Sequence, residues 1–407
     1  MNFHFEFPKI EPQRLAVKLT TKGERSVRSG HPWIFSDSIQ KINKEGKAGD
    51  IAIIFRSSSN KPLGIGLYDP RSPIRIKMIH HDGGAQIDRS FFKQKIDAAY
   101  EIRAALRSTS TNSYRLLFGE NDGFPGCIAD VYDEVLVIKL YNEIWLPYLQ
   151  DLFELLVERT ESNTVVIRLS RSLQKLSNLP FHDGQVIYGS LENEVVPFEE
   201  HGVQFSANVI KGHKTGYFLD HRHNRKRVGE LSRNKEVLDV FSYAGGFSVH
   251  ALAGGAKKVT SLDISAQALE VAQANAALNP SKGTHEVVVG DAFDVMKQFI
   301  EEGNTYDIVV IDPPSFAKSK KEINGALKKY RQLARLGAQL TRKNGLLVLA
   351  SCSSRISATD FFQLTQEELK SGPQKFREEL KTYHDVDHPI TFPEGAYLKC
   401  IYYSRIS

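Results

Sequence analysis

The spacing of apolar and polar positions changes twice along the chain. Between Leu15 and residue 80 the apolar runs are short and are broken by Gly, Pro, Ser and Asp. Leu15–Leu19, Asp50–Arg56, Leu63–Tyr68 and Ile74–Ile79 predict strands of a small β-barrel. Lys22–Ser29 between them is cationic and polar, a loop or a short helix. Phe92, Ile96, Ala99, Ile102 and Leu106 then recur near helical spacing and predict a helix over Phe91–Leu106. Turn residues crowd Gly119–Gly126. Val135–Tyr141 and Thr164–Arg168 read as strands on either side of a helix at Trp145–Glu158, and Asn193–Phe198 with Val203–Ser206 reads as an antiparallel pair.

From Glu236 the alternation becomes strict. Strands at Glu236–Phe241, Lys258–Leu262, Glu286–Val289, Asp307–Ile311 and Gly345–Ala350 take turns with helices at Gly246–Ala253, Ser265–Leu278, Phe293–Glu301 and Ala326–Leu340. Repeated βα units of this length predict a doubly wound sheet whose strands are buried on both faces. The fold class expected is α/β. A C-terminal Rossmann-like domain (201–407) follows a small β-barrel (12–85) and a central α+β domain (90–200).

Composition narrows the class without naming a function. A chain of 407 residues has room for two or three domains. With 41% hydrophobic and 25% charged residues it is neither disordered nor collagenous. Lys+Arg 53 against Asp+Glu 48 leaves +5, which permits nucleic acid without demanding it. Cys127, Cys352 and Cys400 lie far apart, with no zinc or disulfide spacing, as suits a reducing compartment. Met1–Pro12 lacks the basic and apolar regions of a signal peptide, and runs such as Gly345–Ala350 are too short to span a bilayer. A cytoplasmic protein with no membrane partner and no metal is expected.

The candidate chemistry sits where the βα strands end. The first βα turn reads Val-Leu-Asp-Val-Phe-Ser-Tyr-Ala-Gly-Gly-Phe-Ser (237–248). Ala244, Gly245 and Gly246 let backbone approach a ligand, although a tight turn without a ligand explains this segment alone equally well. Asp263 ends the second strand about 20 residues on, where a ribose diol finds a carboxylate; taken singly it could instead cap the next helix. Asp291 ends the third strand, placed to meet an adenine edge, and Asp312-Pro-Pro-Ser-Phe316 follows the fourth. Four strands ending in polar residues at one sheet edge favour a ligand site over four coincidences. The turn is not the dinucleotide fingerprint, because Ala244-Gly245-Gly246 lacks the third glycine. The pattern resembles class I S-adenosylmethionine-dependent methyltransferases, whose cofactor has a ribose and an adenine but no phosphate.

Two prolines stiffen the loop after Asp312, and Phe316 offers a flat surface for a base. Cys352 ends the fifth strand between Ser351 and Ser353. Cys127 and Cys400 read as buried structural thiols. Cys352 reads as a nucleophile: carbon 5 of cytosine takes a methyl group only after a thiolate adds to carbon 6. Asp312 would hold the cytosine edge and help protonate the ring nitrogen. Methylation of an exocyclic amine needs the Asp-Pro-Pro loop but no thiol.

The segments Arg28-Ser-Gly-His-Pro-Trp-Ile-Phe35, Tyr114-Arg-Leu-Leu-Phe-Gly-Glu-Asn-Asp-Gly-Phe-Pro-Gly126 and Gly212-His-Lys-Thr-Gly-Tyr-Phe-Leu-Asp-His-Arg222 precede Phe241-Ser-Tyr-Ala-Gly-Gly-Phe247, Asp312-Pro-Pro-Ser-Phe316, Ser351-Cys-Ser353 and Tyr-Leu-Lys (397–399). In this order they resemble the ribosomal RNA methyltransferases with an N-terminal PUA domain, most of all the bacterial 23S rRNA 5-methylcytosine enzymes. The resemblance covers nearly the whole chain. It implies S-adenosylmethionine as methyl donor, Cys352 as nucleophile, 23S rRNA as partner and, in some members, a homodimer. Two departures stand out: position 315 is Ser where many 5-methylcytosine enzymes carry a second Cys, and Leu169–Gly184 departs from the family pattern.

The cofactor residues expected are Phe241, Ser242, Tyr243, Ala244 and Gly245 of the turn, then Asp263, Ile264, Asp291, Ala292, Asp312 and Pro313, with Tyr217 and Arg222 from the cationic stretch Lys211–Arg227. That stretch, otherwise a solvated helix face, interleaves Gly, Tyr and Phe with its cations. Lys214 and Arg225 are expected on RNA with Lys22, Arg25, Arg28, His31 and Phe316. The rival functions are a guanine N2 or other exocyclic-amine methyltransferase and a noncatalytic RNA-binding assembly factor; a hydride-transfer enzyme is more distant.

Overall fold

Leu15, Val17 and Leu19 all face inward along Arg14–Leu19, the first strand (β1). It joins β2 (Trp33–Phe35), β3 (Ile39–Ile42), β4 (Ile51–Phe55), β5 (Pro62–Tyr68) and β6 (Ile74–His81) in a six-stranded sheet ordered β2-β6-β5-β4-β1-β3. β1 and β4 run parallel and the other pairs antiparallel. The cationic stretch after β1 is a helix, Thr21–Arg28, started by the Thr20 hydroxyl accepting from Gly23 N at 3.2 Å.

The computed structural model describes residues Met1–Ser407. They fall into two compact units: Met1–Glu199 with Ser206–Leu219 and Val386–Phe392, and Glu200–Phe205 with Asp220–Asp385 and Pro393–Ser407.

The first unit holds a second sheet, ordered β11-β10-β9-β8-β7, of β7 (Ser113–Phe118), β8 (Cys127–Tyr132), β9 (Val135–Leu140), β10 (Thr164–Leu169) and β11 (Gln185–Tyr188). The expected helix over 91–106 divides into Arg89–Ile102 and Ala104–Arg107. At the break Arg103 is wholly buried, its guanidinium bonded to the Ala99 carbonyl and to both Asp122 oxygens. The helix expected from Trp145 starts as a 3-10 turn, Glu143–Tyr148, and becomes α-helical only at Leu149–Thr160; Pro147 removes a donor there. One continuous core runs from Ile51 and Leu67 through Phe92, Trp145 and Phe153 to Ile187. β12 (Val195–Glu200) and β13 (Val203–Asn208) form the hairpin expected around residue 200.

The second unit is built on a seven-stranded sheet ordered β16-β15-β14-β17-β18-β20-β19. Its strands are β14 (Glu236–Val240), β15 (Lys258–Asp263), β16 (Thr284–Val289), β17 (Tyr306–Ile311), β18 (Thr341–Ser351), β19 (Phe376–Thr382) and β20 (Lys399–Arg405). β14–β18 are parallel; β20 pairs antiparallel with β18 and with β19. Alternate side chains sort to two cores, one holding Leu238, Val240, Val309 and Ile311, the other Val237, Ile308, Val310 and Val348. The strand order reverses between β14 and β17, and the register sets Val240 opposite both Leu262 and Ile311. The segments following β14, β15 and β17 therefore leave the sheet together, at the crevice where open α/β sheets take ligands. No helix is long and apolar enough to cross a membrane.

Candidate active site

The turn after β14 is strained where a ligand would lie. Phe241 and Tyr243 have φ of 65° and 47°, values L-residues seldom adopt. Gly245, at φ 77°, has no room for a side chain: a Cβ there would sit 2.8 Å from that of Ala272. Asp263 holds the turn in place, accepting from Tyr243 N and from Ser265 N, both at 2.9 Å. Between the strained residues Ser242 is buried, and its hydroxyl has no protein partner. A buried hydroxyl left unsatisfied costs stability unless something bonds it, so this cradle fits a polar ligand such as the ribose and amino-acid parts of S-adenosylmethionine. Ile264 follows Asp263 with 73% of its surface exposed, an apolar surface against which an adenine could pack. Asp291 is exposed, and one of its oxygens caps the helix Ala292–Glu301 by accepting from Phe293 N at 2.9 Å; Ala292 is buried behind it.

Beneath this edge Asp239 is buried in mid-strand, accepting from Ser248 N and Oγ at 3.0 and 2.7 Å. Burial pushes its carboxyl up to about 7, against the Ser248 bonds.

The loop and the thiol meet. Cys352 follows the last residue of β18 half-buried, and its Sγ lies 3.7 Å from the Pro313 carbonyl that accepts from it. Pro313 is buried and Asp312 half-buried. The residue before Cys352 is clamped, the Ser351 hydroxyl lying 2.9 Å from that of Tyr330. On the strand next to it Lys399 is 1% exposed, and its ammonium donates to the carbonyls of Ser353, Ile356 and Tyr397. One cation thus ties the turn that carries Cys352 to β20. Burial pushes that ammonium down to about 8, and the Cys352 sulfur acts in the opposite direction. Cys127 and Cys400 are fully buried, and burial raises both thiols far above reach.

Phe316 is half-buried among Phe241, Phe293 and Tyr330, with the Lys329 ammonium 4.9 Å from its ring centre. Its aromatic surface is shared with those neighbours instead of standing open.

The cationic stretch divides between buried and exposed residues. Arg222 and Arg225 are buried on one carboxylate, that of Glu200. Arg225 grips it with two bonds of 2.7 and 2.6 Å, and His250 adds a third at 2.9 Å. Burial alone would raise the Glu200 carboxyl, but Arg225 and His250 hold it well below the usual range. This corrects the placement of Arg225 on RNA: at 3% exposed it has no surface to offer a phosphate. Arg222, expected beside the cofactor, is 0% exposed and engaged by Glu200 and Asp385. Tyr217 and Lys214 belong to the first unit. Tyr217 is buried against Phe198, and Lys214 is exposed. In the N-terminal helix Lys22, Arg25 and Arg28 are exposed, Arg28 pairing with Glu24 at 2.6 Å. His31 is half-buried, edge-on to Trp33 and Phe392.

Two residues at the site gained no role from the sequence. Lys399 carried two signals, its place in the motif Tyr-Leu-Lys (397–399) and a lysine opening the otherwise apolar run Lys-Cys-Ile-Tyr-Tyr. His221, 3.4 Å from Asp312, carried none beyond its place in a motif.

Residues 115–399 match the family described as S-adenosylmethionine-dependent methyltransferase, and residues 17–81 match a PUA-like domain. A "Ribosomal RNA large subunit methyltransferase" of Deinococcus radiodurans is 41% identical over 97% of this chain and 98% of its own. A "Ribosomal RNA large subunit methyltransferase I" of Aliivibrio fischeri is 33% identical over 95% of this chain and 98% of its own. Among solved structures, a methyltransferase complexed with SAH superposes with a TM-score of 0.80 at 22% identity, covering 96% of this chain and 100% of that one. A Streptococcus mutans structure described as a SAM-dependent methyltransferase gives 0.79 at 22% identity, covering 96% and 99%. These two likenesses are of fold.

Proposed function

The chain belongs to the S-adenosylmethionine-dependent methyltransferases, and on that premise we propose that it methylates carbon 5 of a cytosine in large-subunit ribosomal RNA, with Cys352 as covalent nucleophile. S-adenosylmethionine supplies an electrophilic methyl group. The strained turn 241–245, Asp263 and Ile264 are the residues that would hold it.

The observation that carries the cytosine reading is the approach of the Cys352 thiol to the Asp-Pro-Pro loop, 3.7 Å from the Pro313 carbonyl. An amine methyltransferase needs that loop but has no work for a thiol beside it. In the reaction proposed, the thiolate electron pair forms a bond to carbon 6 of the base. Carbon 5 becomes enamine-like and takes the methyl group. Asp312 meets the nitrogen edge of the ring, where charge develops. Loss of the carbon 5 proton then expels the thiolate. The base has to leave its stack, because carbons 5 and 6 are approached together. The names of the 41% and 33% identical relatives support large-subunit ribosomal RNA as the substrate class, and hence the cytoplasm as the place of action. The PUA-like match over 17–81, with Lys22 and Arg25 exposed, supports RNA contact by the N-terminal part.

Trapping tests the nucleophile. Large-subunit RNA containing 5-fluorocytosine should form a methyl-bearing covalent adduct with the wild-type chain, because fluorine cannot leave as a cation. Cys352→Ala should form none. Full methylation of ordinary RNA by Cys352→Ala, with the methyl group found on an exocyclic amine, would sink the proposal in favour of amine transfer.

A further inference from the structure

Resting on the reading that Asp312 meets the reacting base, we propose that His221 is the positioning residue that presents Asp312 to it, at the end of a buried relay through Asn224 to Tyr402 and Thr382. His221 precedes the helix Arg222–Leu231, is 4% exposed, and packs its ring against Phe247. Its Nε2 lies 3.4 Å from Asp312 Oδ1. Its Nδ1 lies 3.1 Å from Asn224 Nδ2. Asn224 is fully buried, and its Oδ1 takes two hydroxyl donors, Thr382 Oγ1 at 2.7 Å and Tyr402 Oη at 2.9 Å.

In this arrangement Asn224 Oδ1 accepts from both hydroxyls and its NH2 group faces His221. Nδ1 is thereby the acceptor, and the ring proton sits on Nε2, toward Asp312. Thr382 on β19 and Tyr402 on β20 thus reach the carboxylate at the end of β17. His221 Nε2 lies within reach of Asp312 Oδ1 and has no hydrogen-bond partner, so closing that contact would limit rotation of the Asp312 side chain and leave Oδ2 to turn toward a base.

The charges around the ring act in the same sense. Burial works to discharge His221, but the carboxylates of Asp312 and Asp220 outweigh burial and raise its affinity for a proton, with Arg225 opposing them. His223, two positions further along the same segment, acts on it electrostatically, as Asp239 on β14 acts on Asp312. Nε2 carries a proton in both the neutral and the charged ring, so the contact with Asp312 persists through the titration of His221. Removing the imidazole takes away the group that the relay sets against Asp312 Oδ1.

The test compares His221→Leu, which has no donor, with His221→Gln, whose amide can supply one. Methyl incorporation from S-adenosylmethionine into unmethylated large-subunit RNA transcribed in vitro is followed, whatever the methylated atom. For His221→Leu, kcat/KM should fall about tenfold, through kcat and with KM for RNA little changed. His221→Gln should restore most of that loss, and S-adenosylmethionine should bind both variants as it binds wild type. If His221→Leu does not fold, Tyr402→Phe, which removes one donor from Asn224, should lower kcat in the same direction by less. A His221→Leu kcat equal to wild type, or the same loss in His221→Gln, would overturn the assignment; for the fallback, an unchanged Tyr402→Phe kcat would do so. Failure of the cytosine reading shows separately, in the identity of the methylated atom.

Discussion

Arg225 shows how a residue's role follows from its partner and not from its charge. In the sequence it stands in a cluster of cations that reads as a phosphate-binding face. In the fold it makes a bidentate buried pair with Glu200, a residue 25 positions earlier on a different element. Charge density along the chain carries no information about such a distant carboxylate, which is why the sequence misplaced it. The same blindness hid Lys399 and His221, whose partners are backbone carbonyls and Asp312. Cys127 and Cys400 were legible because apolar neighbours announce burial directly. Breaking a buried pair strands the surviving charge, so Arg225→Ala should cost about 3–5 kcal/mol of stability. Urea unfolding should show an earlier midpoint for this variant, and the RNA affinity of the fraction still folded should be unchanged. Wild-type stability combined with weakened RNA binding would return Arg225 to the RNA face.

At the scale of elements, the βα half of the chain was the most readable. Buried parallel strands are continuous apolar runs, and each ends in a residue that breaks the run, so Glu236–Val240 and the helix Gly246–Ala253 are found almost to the residue. Several strands that escaped notice carry polar residues inside. β8 holds the buried Asp130, which pairs with Arg115 of β7, and both interrupt their apolar patterns. β19, Phe-Arg-Glu-Glu-Leu-Lys-Thr, is an edge strand whose charges face solvent. The cofactor turn was visible as Ala-Gly-Gly, but its strain was not, because positive φ at Phe241 and Tyr243 is not encoded in those residue types. Gly245 is the point at which sequence and geometry agree. Gly245→Ala asks an L-residue to hold φ 77° and pushes a methyl group to 2.8 Å from Ala272 Cβ. The left-handed conformation alone costs about 1 kcal/mol, and relieving the contact shifts the turn. S-adenosylmethionine affinity measured by calorimetry should fall about tenfold or more; an unchanged affinity would detach the turn from the cofactor.

For the whole molecule, the net charge of +5 says little, because it averages over regions of different character. Acidic side chains gather where β14, β15 and β17 end, while exposed cations such as Lys22, Arg25 and Lys214 belong to the first unit. The shifts in periodicity follow the order of the sheets along the chain. What periodicity leaves open is continuity of packing, such as the single core that runs from Ile51 to Ile187. The central claim, methyl transfer to carbon 5 through a thiol, makes a demand that no amine methyltransferase shares: the hydrogen on carbon 5 has to leave. Large-subunit RNA transcribed with 5-deuterocytidine and methylated by the intact chain reports this directly. Release of one deuteron to solvent for each methyl group incorporated is the result predicted, whereas full methylation with the deuterium retained in the RNA would contradict it.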